Sequence, residues 1–137
     1  MNRSEFQALA RMRLLDATAL SQTGRFDGAY YLFGLAVECG LKACISRKTR
    51  RYDFPDKDLA QKSYQHDLSK LVEAAGLGAA LNAEINSDAE FTANWLTTKD
   101  WSIESRYSIP GQLKAEGLER AVNDRRHGVM RWIRQHW

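Results

Sequence analysis

The segment from Arg25 to Arg47 constrains the fold more than any other part of the chain. Phe26, Ala29, Phe33, Val37, Leu41 and Cys44 recur at helical spacing along one line, and Leu32, Ala36, Gly40 and Ile45 widen it. So broad an apolar surface predicts a helix over 25–47 at the centre of a bundle, with neighbours on most sides. Gly28, Gly34 and Gly40 each weaken an isolated helix by up to about 1 kcal/mol relative to alanine. Their presence predicts that neighbouring backbone comes close. The segment ends in Arg47, Lys48, Arg50 and Arg51, where cations suit the negative end of the helix dipole.

Elsewhere the pattern is also helical. Ser4 with Gln7 forms a capping box for a helix over 4–22 carrying Phe6, Leu9, Met12, Leu15 and Ala19, and Thr23-Gly24 ends it. Residues 52–63 are polar, contain Pro55 and read as a loop. A short helix from Asp67 carries Leu68, Leu71, Val72 and Ala75 before Gly76. Another covers 78–96 with Leu81, Ile85, Ala89 and Trp95 on one side. Residues 99–110 are irregular and aromatic. A last helix runs from Gln112 to the chain end, with Leu118, Val122, Val129, Trp132 and Ile133 on one face. No segment alternates with period two. The expectation is one all-α domain over 1–137, helices packed on helices around one core.

Composition removes several classes of function. The 137 residues are 44% hydrophobic and 27% charged, as in a folded globular domain. The net charge of +3 permits contact with nucleic acid without requiring it. The N-terminus lacks the apolar run of a signal peptide, and no stretch approaches the roughly 20 apolar residues that span a bilayer. A cytoplasmic protein without a membrane partner is expected. Cys39 and Cys44 lie about 140° apart on a helix and have no Cys/His companions, so they read as free thiols. There is no phosphate loop, no Gly-x-Ser-x-Gly and no metal-ligand spacing, and no cofactor or metal is expected.

The run GRFDGAYYLFGLAVECGLKACI, Gly24 to Ile45, leads through small and aromatic positions to Glu38 and Lys42, one turn apart in the favourable order. His66-Asp67-Leu68 with Leu71 follows, and then Trp101, Glu104 and Arg106-Tyr107 before the last helix. In this order and spacing the pieces resemble the HEPN (higher eukaryotes and prokaryotes nucleotide-binding) family, over roughly residues 24–110. The resemblance implies an up-and-down bundle of four to five helices, often a homodimer. It further implies roles in RNA cleavage, toxin–antitoxin pairs or defence, in some cases beside a nucleotidyltransferase-type partner protein. Glu38, Lys42, His66, Arg106 and Tyr107 then form either a structural signature or a pocket for a nucleotide or phosphate.

Nuclease members of that family place an Arg and, four to six residues later, a His near the start of the last helix. Arginine holds a phosphate while histidine moves a proton near neutral pH, giving metal-independent cleavage through the RNA 2′-hydroxyl. Here Arg120 and His127 have six residues between them. On a continuous helix they share a face about 10.5 Å apart, with Arg131 and Arg134 beside them for further phosphates. The opposing reading is a solvated, arginine-rich face. Arg131 and His136 are also suitably spaced but about 140° apart. On the same wheel Arg125 falls on the apolar side, where it either pairs with Glu38 or Glu104 or snorkels outward. The run Arg47, Lys48, Arg50, Arg51, followed by Tyr52 and Phe54, has the composition of a nucleic-acid grip. Three functions stay open: a nucleotide- or RNA-associated binding and assembly module, a ribonuclease using Arg120 and His127, and a structural adaptor with no ligand.

Overall fold

The computed structural model describes residues 1–49 and 57–137. Its elements in chain order are α1 (Arg3–Gln22), α2 (Phe26–Lys48), α3 (Lys57–Ser63), α4 (Leu68–Ala74), α5 (Gly78–Ser87), α6 (Ala89–Lys99), a 3-10 turn (Ile103–Tyr107), α7 (Gln112–Asn123) and α8 (Val129–Arg134). The chain is all-α, with no strand among the described residues. Among the described residues eight α-helices replace the five read from periodicity, because two expected helices are split and one expected loop is helical. Residues 57–63, expected as loop, are helical. The expected helix 78–96 is split at Asp88, and the expected last helix is split between Asn123 and Val129.

Helix α2 is the axis of the fold, packing against α1, α4, α7, α8 and the 3-10 turn. Phe33, Ala36, Val37, Leu41 and Ala43 are wholly buried along it. By length and composition alone it is the one described helix long and apolar enough to cross a bilayer, although Asp27, Glu38 and Lys42 interrupt its apolar run. Of its most apolar window, 67% is buried inside the bundle. Its glycines admit side chains rather than the neighbouring backbone expected: an added Cβ at Gly40 would touch Ile133 and Met130 of α8, and one at Gly34 would fall inside the indole of Trp101.

The first connection follows from sequence chemistry. Gly24 has φ +78°, Arg25 N donates to Leu20 O at 2.8 Å and Gly24 N to Ser21 O at 3.2 Å, a Schellman stop that folds α1 back on α2. Gly76 (φ +70°) ends α4 in the same way, with Leu77 N donating to Val72 O.

Two expectations for α1 are corrected. The N-cap is Asn2, not Ser4: its Oδ1 accepts from Glu5 N at 2.9 Å while Glu5 Oε2 accepts from Asn2 N at 2.7 Å. The buried face carries Ala10, Leu14 and Ala17, whereas Met12 and Leu15 point to solvent, 48% and 72% exposed. Small residues let α1 lie close to α2, so the larger side chains are displaced outward.

Candidate functional site

Glu38 sits mid-α2 with 3% of its surface exposed. A buried carboxylate requires cationic or hydrogen-bonding partners, and two are present. Its Oε1 accepts from Lys42 Nζ at 2.9 Å, one turn along α2, and lies 3.0 Å from His66 Nδ1. Asp67 accepts from Lys70 N to cap α4, which sets the preceding His66 over α2. The other carboxylate oxygen, Oε2, is buried with no partner among the described residues. Lys42 also lines a cavity of about 270 Å³, together with Phe6, Ile45, Ser46, Leu59 and Tyr64. Three of the five signature residues therefore meet. Arg106 and Tyr107 lie apart from them: the Arg106 guanidinium stacks 4.8 Å over the Tyr107 ring, both exposed on the 3-10 turn. Trp101 is buried against Gly34, stacked on Tyr31 with ring centroids 6.4 Å apart.

Of the basic run, Arg47 donates to His136 O at 3.3 Å and Lys48 Nζ to Ala74 O at 3.3 Å. Lys48 thus closes the carbonyl end of α4, a favourable place for a cation. Arg50, Arg51, Tyr52 and Phe54 lie outside the described residues.

The premise that Arg120 and His127 share a helix face is overturned. Helix α7 ends at Asn123, because the Asp124 side chain captures the next backbone donors: its Oδ1 accepts from Arg126 N at 2.9 Å and His127 N at 2.7 Å. Gly128 completes the turn, since a Cβ there would strike the Asp124 carbonyl oxygen. Within this turn His127 is held from every side. Nδ1 lies 2.7 Å from Asp88 Oδ2, Nε2 lies 3.1 Å from Glu90 Oε2, and the His127 carbonyl accepts from Asn94 Nδ2 at 3.0 Å. The hydrogen bond that His127 donates to the Asp88 carboxylate raises the His127 pKa above its usual value. Asp88 is in turn held below the usual carboxylate range, by His127 first and the Phe91 N–H next. Asp124 is held low by the two backbone donors it accepts.

The same break carries Arg125 out to solvent, correcting its expected place on the apolar side. Arg125 now joins two adjacent recesses. The larger, about 640 Å³, holds Arg120 and Arg125 but also Glu116, Glu119 and Asp124. The smaller, about 360 Å³, holds Arg125, Arg131 and Arg134 with Asn123 and Gln135, and its sole carboxylate is Asp124. His127 lines neither recess. Arg120, Arg125, Arg131 and Arg134 are all exposed, and none of their side chains has a hydrogen-bond or ion-pair partner among the described residues.

In comparisons with family models, curated proteins and solved structures, nothing matches the chain. Function is therefore argued from the chain's own chemistry. Sequence reasoning missed Asp88, Glu90 and Asp124 as partners of His127. The available signals were Asp88 before a new apolar period, and Asp124 four residues before Gly128. Three guanidiniums around one recess, against a single carboxylate already satisfied by backbone donors, form a surface suited to anionic oxygens. Among the described residues no three His, Cys, Asp or Glu side chains are grouped to hold a metal.

Proposed function

We propose that this chain is a HEPN-like helical module that associates with RNA or nucleotides through phosphate contacts, and that its role is binding and assembly. In this proposal it works as a homodimer beside a nucleotidyltransferase-type partner in a toxin–antitoxin or defence system. The observation that carries the binding role is the smaller recess, where Arg125, Arg131 and Arg134 project without partners among the described residues. Such groups can each hold a phosphate in the bidentate manner. The Glu38–Lys42–His66 cluster supports the same module differently, by tying α2 to the start of α4.

The test is fluorescence anisotropy with a labelled single-stranded RNA. Three phosphate contacts on a single strand give a log–log salt slope of about −2, or roughly 15- to 20-fold weaker binding from 50 to 200 mM salt. Replacing Arg125, Arg131 and Arg134 by glutamine is expected to remove that slope along with most of the affinity. Unchanged binding in the triple variant discards the recess as the site.

One observation favours the second reading, ribonuclease activity: Asp88 fixes His127 through Nδ1, as an orienting carboxylate does for a general base. Glu90, 73% exposed, would have to swing off Nε2. RNA cleavage in the presence of a chelator, abolished by both Arg120→Ala and His127→Ala, would establish that reading. Binding without cleavage supports the first.

A further inference from the structure

On α1 the exposed residues Ala8, Met12, Leu15 and Ala19 fall at spacings of four, three and four. At 100° per residue they occupy an arc of about 60° and run about 16 Å along the axis. This arc lies opposite the buried face of Ala10, Leu14 and Ala17, and none of the described residues covers it. The two large side chains at its centre are 48% and 72% exposed. Spacing of this kind is the seam by which one helix packs along another, knobs into holes.

We infer that this face of α1 pairs two copies of the chain, with their α1 helices side by side and parallel. The charges flanking the seam select both the partner and the direction. Arg11 lies on one flank and Asp16 on the other, five residues apart and each about 70° from the centre of the stripe. In a parallel pair related by a two-fold axis, Arg11 of each copy lies beside Asp16 of the other, and two ion pairs form. In an antiparallel pair the symmetry sets arginine near arginine and aspartate near aspartate. The surface is thus complementary to itself in one direction only.

Both groups are placed for this role. The Arg11 guanidinium is held at the edge of the seam, 4.9 Å over the Trp137 ring. Asp16 has a half-exposed side chain, 3.6 Å from Arg13 on its own helix. Ala8 and Ala19 permit close approach at both ends, while Met12 and Leu15 each meet their own copy. The seam is small beside the roughly 800 Å² per partner of a stable complex, so the dimer is weak, with a dissociation constant of roughly 10 µM to 1 mM. This inference gives the homodimer proposed above its face and direction, and it does not depend on nucleic-acid binding.

Sedimentation equilibrium of the full chain between about 10 µM and 1 mM tests it, with circular dichroism checking that each variant folds. The wild type is expected to dimerise across that range and Leu15→Glu to remain monomeric. Asp16→Arg weakens association about fivefold to tenfold by setting like charges together. Adding Arg11→Asp to Asp16→Arg restores association, since the pairs re-form with their signs exchanged. A wild type that is monomeric at 1 mM overturns the inference, as does a dimer that survives Leu15→Glu. Failure of the double exchange to restore association overturns the parallel pairing.

Discussion

The contact between Gly34 and Trp101 offers a sharp test of the packing, because two ordinary rules give opposite answers for one substitution. Gly34 lies inside α2, where alanine is favoured over glycine by about 1 kcal/mol. Helix propensity alone therefore has Gly34→Ala stabilise the protein. The structure demands the reverse. The added Cβ would occupy the Trp101 ring at Cε2, Cδ2 and Nε1, and Trp101 is 3% exposed, so the indole cannot simply turn into solvent. Displacing a buried tryptophan from its site costs about 3–5 kcal/mol. Subtracting the propensity gain leaves a net loss of about 2–4 kcal/mol, or a Tm lower by roughly 6 to 20 °C for a domain of this size. Gly117, inside α7, is the control: an added Cβ there meets nothing within 4 Å, so Gly117→Ala should gain about 0.5–1 kcal/mol. Urea denaturation followed by circular dichroism measures both variants. Gly34→Ala at or above wild-type stability, with Gly117→Ala behaving as stated, would refute the close packing of Trp101 on α2.

Further expectations concern the charged clusters and the thiols. His127 has a raised pKa in the fold, so its contribution to stability is fully present below its ordinary 6.5 and is lost as pH rises through the raised value. Asp88 and Asp124, with lowered values, contribute above the ordinary 3.8 and lose that contribution as pH falls through the folded values. Urea midpoints of wild type and His127→Gln should therefore differ most near pH 6 and converge toward about pH 9; a constant difference would contradict the Asp88–His127 pairing. Glu38→Ala strands Lys42 in a site where that side chain is only 16% exposed, and should lower unfolding stability by about 3 kcal/mol; a change within about 0.5 kcal/mol would show the cluster to be dispensable. Burial pushes the Cys39 thiol up to about 11 and the Cys44 thiol up to about 12, so iodoacetamide at pH 8 should label neither in the native protein and both in urea.

Much of the architecture was legible in the residues because it rests on local rules. The breadth of apolar positions on α2 announced a central helix. Gly24 and Gly76 announced two stops, since a left-handed residue is needed wherever a Schellman turn closes. The meeting of Glu38, Lys42 and His66 was half visible, the first two being one helical turn apart. What failed were the readings that extended one local rule across a competing one. Asp88 and Asp124 carry short side chains that bind backbone donors, and each ended a helix that hydrophobic periodicity would have continued. Gly128 fitted a helix by pattern and a tight turn by packing.

The consequences for the candidate sites are large. Composition alone placed many arginines near the chain end, but only the break between α7 and α8 turned Arg125 toward Arg131 and Arg134 and left His127 between Asp88 and Glu90. Those partners lie about 40 residues apart in sequence, and no periodicity relates them. Likewise the pattern of α1 held two apolar faces, one of small residues and one with Met12 and Leu15. Local pattern alone required α1 to be a helix with apolar surface to cover. Which face turned inward was decided by tertiary packing, because α2 could be approached most closely by the face bearing Ala10 and Ala17, and that choice left the larger side chains facing solvent.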